Sequence, residues 1–151
     1  MKRLRPILLA EDNPNDVELI LTAFQGANLL NEIQVTRDGE EALDFLYRRG
    51  PYSGRTSPQP AVILLDLKMP KVDGREVLRQ VRADPQFRHV PVVILTSSRE
   101  EADLVASYQL GVNAFVVKPV DFQEFISAVG QLGFFWALLN EAPRVDSNPP
   151  A

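Results

Sequence analysis

Short apolar runs recur along the chain, and each ends in a polar residue. Ile7-Leu8-Leu9-Ala10 runs into Glu11-Asp12, Ala61 to Leu65 into Asp66, Val92 to Leu95 into Thr96, and Phe115 to Val117 into Lys118-Pro119. Continuous runs of this length bounded by turn residues are the mark of strands buried on both faces. Ile33 and Val35 alternate with Gln34 and Thr36, which predicts one more, half-buried strand.

Between the runs the period lengthens to that of a helix. Asn13-Pro14 can cap and start a first helix, with Val17, Ile20, Leu21 and Phe24 at i, i+3, i+4 and i+7. Asp38 with Glu41 opens a second, carrying Ala42, Leu43 and Leu46. Val77, Leu78 and Val81 mark a third, ended near Asp84-Pro85. Ser98 with Glu101 opens a fourth, carrying Ala102, Val105 and Ala106 and closed by Gly111. A fifth starts near Asp121. The stretch from Gly50 to Pro60 is rich in breakers and reads as an extended loop.

Five strands alternating with five helices predict an α/β protein with a doubly wound, five-stranded parallel sheet and helices on both faces. In such sheets, ligands bind beyond the carboxyl ends of the strands. The four polar endings are all carboxyl ends. They place an acid pair, an acid, a hydroxyl and an amine where one site can form.

Composition narrows the options. The chain has 151 residues, about one domain's worth, 45% hydrophobic and 24% charged, with a net charge of −4. No basic footprint for nucleic acid is present. The absence of cysteine excludes disulfides and thiolate chemistry. No run approaches membrane-spanning length, and the expectation is a cytoplasmic protein.

Glu11, Asp12 and Asp66 would gather three negative charges. A divalent cation and Lys118 would balance them, and an all-oxygen donor set favours Mg2+. An ionised aspartate beside Mg2+ can attack phosphorus, with the metal and Lys118 neutralising the equatorial oxygens and Thr96 donating a hydrogen bond.

These residues, in this order, resemble the receiver domain of two-component response regulators: Glu11-Asp12, Asp66 before Leu67-Lys68-Met69-Pro70 and Asp73-Gly74, Thr96-Ser97, and Lys118-Pro119. The likeness runs from about Pro6 to Leu132. It implies the flavodoxin-like receiver fold, with strand order 2-1-3-4-5. It implies Asp66 as acceptor of a phosphoryl group from a sensor histidine kinase. It implies Mg2+ held by Asp12 and Asp66, by Glu11 through water and by the Lys68 carbonyl. Thr96 and Lys118 would hold phosphoryl oxygens, and the Lys118-Pro119 bond would be cis. Phe115 falls at the aromatic position coupled to Thr96; lacking a hydroxyl, it would switch by packing alone.

The long loop before the third strand, Ser107-Tyr108-Gln109-Leu110-Gly111, and Gln131 to Trp136 resemble more closely the single-domain regulators paired with bacterial phytochrome-type sensor kinases. The receiver would span 1–139, with a disordered tail over 140–151. On the last helix Phe122, Phe125, Ile126, Val129, Leu132 and Trp136 share a face for the sheet. Phe134, Phe135 and Leu138 lie elsewhere, and Leu104 and Tyr108 form a similar outward pair on the fourth helix. This predicts a homodimer through the fourth and fifth helices and the fifth strand. Output would pass to a downstream phosphotransfer or effector protein.

Rival readings fit less well. An Mg2+-dependent phosphohydrolase with an aspartyl nucleophile usually has a general acid two residues later, where this chain has Lys68. A flavodoxin-like phosphate cradle would need a Gly- or Ser-rich loop after the first strand, not Glu11-Asp12-Asn13-Pro14. The roughly dozen residues after Leu139 are too few for a DNA-binding domain.

Overall fold

The computed structural model describes residues 4–26, 31–106, 111–112 and 114–130. The strands are β1 (Ile7–Ala10), β2 (Ile33–Thr36), β3 (Val62–Asp66), β4 (Val92–Thr96) and β5 (Ala114–Val117). The helices are α1 (Pro14–Gly26), α2 (Gly39–Tyr47), α3 (Gly74–Ala83), α4 (Arg99–Ala106) and α5 (Phe122–Gly130). The sheet is parallel throughout, in the order β2-β1-β3-β4-β5. Asp66 and Thr96 are the last residues of their strands, one position further than the apolar runs alone indicate.

Period-two alternation divides the core between the two faces of the sheet. Ile7, Leu9, Val62, Leu64, Val93, Leu95 and Val116 meet Val17, Ile20 and Phe24 of α1 and Phe125 of α5. Leu8, Ala10, Ile63, Leu65, Val92 and Ile94 meet the apolar sides of α2 and α3, and Val105 of α4. The fifth helix is anchored by rings: Phe24 lies 4.8 Å from Phe125 and 5.4 Å, edge-on, from Phe122.

The caps follow the sequence closely. Asn13 Oδ1 accepts from the amides of Asn15 and Asp16. Asp38 accepts from the Glu41 amide, Asp73 from Glu76 and Asp121 from Glu124. The expected reciprocal bond of the second cap differs in one detail: Glu41 Oε1 accepts from the Arg37 amide. Gly74 is needed for space, since a Cβ there would strike the backbone of Asp66 and Leu67. Gly111 has φ of 78°, in the left-handed region expected of a helix-ending glycine. Residues 107–110, through which the fourth helix was expected to run, lie outside the described residues, as do 131–151.

The segment Gly50–Pro60 is a folded loop, which corrects the expectation of an extended one. It begins with a 3-10 turn over Gly50–Tyr52. Arg55 then gathers the chain around itself, donating to the carbonyls of Phe45, Ser57 and Pro58 and to Gln59 Oε1. Its guanidinium lies 4.0 Å from the centroid of the Phe45 ring. Arg48 adds bonds to the carbonyls of Arg55 and Ser57. Burial and the charge of Arg48 pull Arg55 down to about 10, which leaves it charged at neutral pH. The breakers marked a loop correctly; one arginine turned it into a packed element.

Arg55→Ala should therefore destabilise the fold by about 2 kcal/mol, because several carbonyls lose a charged donor at once. Urea denaturation would read this as a lower midpoint at unchanged slope.

Candidate functional site

The site is built by strand register. Ala10 pairs with Leu65, so Glu11 and Asp66, each one position further, stand level at the carboxyl edge. Asp66 pairs with Leu95, which puts Thr96 one step beyond it on the neighbouring strand. This edge flanks the switch point, where the chain leaves β1 for β2 on one side and β3 on the other.

Carboxylate oxygens of Glu11, Asp12 and Asp66 lie within 4.8 Å of one another. Glu11 is fully buried, Asp66 is 7% exposed and Asp12 faces solvent. Lys118 closes the group from β5. Its Nζ is 3.0 Å from Glu11 Oε1, 3.4 Å from Asp66 Oδ2 and 3.0 Å from Asp16 Oδ2. The Lys118-Pro119 peptide is cis, as the resemblance implied, and the Lys118 amide donates to the Thr96 carbonyl.

Asp16 is a member of the site that the sequence reading missed. It is the third carboxylate on the one ammonium, beside Glu11 and Asp66, and with Asp12 it brings the acids of the site to four. The signal was present: Asp16 lies in the first turn of α1, four residues after Asp12.

The charges shift one another. Burial pushes the Glu11 carboxyl up to about 7, and the negative charge of Asp66 adds to this against the pull of Lys118. Burial works against the Lys118 ammonium too, but its contacts with Glu11 and Asp16 and the charge of Asp66 hold it above its usual value. Glu11 Oε2 accepts from the Asn13 amide, whereas Oε1 receives no well-aligned hydrogen bond despite the nearby ammonium. A buried acceptor in that condition, facing two more carboxylates, fits a hard divalent cation. Lys68 offers a cation only its carbonyl, since an ammonium has no lone pair, and its Nζ lies 3.4 Å from Glu101 Oε2.

Thr96 is fully buried and in place, but its hydroxyl is engaged elsewhere. Oγ1 lies 2.6 Å from Glu101 Oε1 and 2.8 Å from the Ser98 carbonyl. The sequence marks Glu101 only as a helix-capping residue. Its amide does bond Ser98 Oγ, and its Oε1 also accepts from the Ser97 amide. Burial opposes the Glu101 charge, but the bonds from Thr96, Ser97 and Lys68 outweigh it and hold the carboxyl below its usual value.

Phe115 is half-buried and packs into the same layer as Ile94 and Val105. Leu104 is 55% exposed on α4. Tyr108, Phe134, Phe135 and Leu138, named for a dimer interface, lie outside the described residues. A groove of about 390 Å³ opens beside the site, lined by Asp12, Lys68, Met69, Asp73, Glu101 and Leu104. No helix among the described residues is long and apolar enough to cross a membrane.

A carboxyl raised to about 7 makes cation binding pH-dependent. Below pH 7 Glu11 holds a proton that the cation must displace. Affinity for a divalent cation should fall about tenfold from pH 8 to pH 6, measured by calorimetric titration, and Glu11→Gln should flatten the profile. In the metal-free protein the sign is opposite for folding. The folded state binds the extra proton between the unfolded value near 4.5 and about 7, so this group's contribution to stability is lost as pH rises through that window.

Residues 7–130 match the response regulator receiver domain family. Response regulator Rcp1 of Synechocystis sp. is 39% identical over 130 residues, covering 86% of this chain and 87% of that protein. Its Mn2+-bound form is a solved structure at a TM-score of 0.70, 37% identical, covering 92% of this chain and 99% of the other. The bacteriophytochrome response regulator AtBRR is 63% identical at a TM-score of 0.87, covering 93% of this chain and all of its own. The phosphorylated cyanobacterial phytochrome response regulator RcpA is 39% identical at a TM-score of 0.70, covering 87% and 93%. With the parallel sheet, the acid cluster and the lysine at its carboxyl edge, this chain belongs to the receiver domain family of response regulators.

Proposed function

We propose that this chain is a phosphoaccepting switch of a phytochrome-type two-component system, acting in the cytoplasm as a receiver spanning 1–139 with a short tail. The observation that carries the reading is the carboxylate cluster of Glu11, Asp12 and Asp66 with Lys118 closing it. The bacteriophytochrome and phytochrome regulators among its relatives support the pairing with that class of sensor histidine kinase.

In this reading an Asp66 carboxylate oxygen attacks the phosphorus of a kinase phosphohistidine. The new P–O bond forms as the P–N bond breaks, and the leaving imidazole takes up a proton. Mg2+, held by Asp12, Asp66, Glu11 and the Lys68 carbonyl, would neutralise phosphoryl charge. Lys118 turns from Asp16 toward a phosphoryl oxygen, and Thr96 donates to another. The groove beside Asp12 and Lys68 leaves room for the donor. Phe115 follows Thr96 by repacking. The chain is not a turnover enzyme beyond its own phosphorylation and slow dephosphorylation, and the position of Lys68 argues against the phosphohydrolase alternative. A homodimer through Leu104, Tyr108, Phe134, Phe135 and Leu138 would present the output to a phosphotransfer or effector protein.

Incubation with acetyl phosphate and Mg2+, followed by intact mass, should show a gain of one phosphoryl group. The gain should vanish without the metal and in Asp66→Asn. No gain with Mg2+ present, or a gain that survives Asp66→Asn, would overturn the assignment. For the dimer, sedimentation at low micromolar concentration should show a two-chain species that Phe134→Asp dissociates. A monomer in both samples would exclude it.

A further inference from the structure

Thr96 and Asp66 point to opposite sides of the sheet. Asp66 continues the Val62, Leu64 row toward α1 and α5, whereas Thr96 continues the Val92, Ile94 row toward α4. On that side the Thr96 hydroxyl meets Glu101 at 2.6 Å, a distance typical of a hydroxyl bonded to an ionised carboxylate. The hydroxyl has one proton, and the carboxylate is a stronger acceptor than the Ser98 carbonyl 2.8 Å away.

Glu101 is itself fixed from three directions. Ser98 Oγ accepts from its amide, its Oε1 accepts from the Ser97 amide, and its Oε2 faces Lys68. Any arrangement in which Thr96 bonds a phosphoryl oxygen on Asp66 must therefore first break a charge-assisted bond to a fixed acceptor. The same arrangement offers Lys68, two residues from Asp66, a second anion to face. One hydroxyl and one ammonium are thus shared between Glu101 and the phosphoryl group.

We infer that Glu101 is a positioning residue that holds the Thr96 hydroxyl on the α4 face and thereby sets how readily the site accepts a phosphoryl group. The inference rests on the phosphoacceptor reading above. Glu101 acts through Thr96 and touches no reacting atom.

Beryllofluoride, a stable mimic of the aspartyl phosphoryl group, tests this by titration in saturating Mg2+. Glu101→Ala should bind it about three- to tenfold more tightly than the unaltered chain, the factor expected for removing one such hydrogen bond when the Ser98 carbonyl remains as a fallback. Glu101→Gln, which keeps the shape and a neutral acceptor, should shift binding in the same direction by less, and stands in for the alanine variant if that one does not fold. Mg2+ affinity without beryllofluoride should not change. The deciding measurement is the cycle with Thr96→Ala: in that background the Glu101 substitutions should keep only the small part of the gain that comes from releasing the exposed Lys68. An equal gain in both backgrounds would mean that removal of a negative charge, not release of Thr96, is responsible, and would overturn the inference. So would no gain in either. Failure of the unaltered chain to bind beryllofluoride would instead overturn the phosphoacceptor reading, and the inference with it.

Discussion

A half-buried ammonium shared by three carboxylates organises this molecule. Lys118 reaches back from β5 to Glu11 after β1, Asp66 at the end of β3 and Asp16 on α1. Like charges this close repel, and burial sharpens the repulsion by removing water. One lysine cannot neutralise the set, so the carboxyl edge of an otherwise apolar sheet retains a negative excess. That excess is the physical reason for a cation there, and it adds to burial in holding the Glu11 proton unusually far up the pH scale. The apolar layers below supply the rigidity that keeps the repelling groups in place.

The same edge separates the components of the site by strand alternation. Glu11, Asp66 and Lys118 work on the side of α1 and α5. Thr96 sits on the other side with Glu101, Lys68 and the layer holding Phe115. Thr96 touches both sides of this edge: its carbonyl accepts from the Lys118 amide, and its hydroxyl bonds Glu101 of α4. The two layers are built differently: the core by Phe and branched aliphatics, the polar edge by a few hydrogen bonds and ion pairs.

Much of this was legible along the chain because the relevant physics is local. Four strands show as continuous apolar runs and β2 as an alternation, and most helices show as a period with a capping residue. Asp66, Glu11-Asp12, Thr96 and Lys118 stood out because polar groups ending buried strands need a reason to be there. The Gly50–Pro60 loop was harder to read. Its breakers said where regular structure stops, but the order comes from Arg55 bonding carbonyls of Phe45, Ser57 and Pro58, and nothing in a list of breakers reveals which side chain will collect them.

The amino-acid sequence by itself determined the alternation of elements, their caps and the chemistry available at the strand ends, since those depend on neighbours within a few residues. Only the tertiary structure decided who partners whom. Asp16 and Lys118 are 102 residues apart, and the bond exists because α1 and β5 approach from opposite ends of the chain. Glu101 lies five residues from Thr96, close enough to notice, yet its role as the hydroxyl's acceptor follows from which face of β4 the threonine occupies and how α4 seats against it. Pairing of this kind is a property of register and packing, and a sequence states those only indirectly.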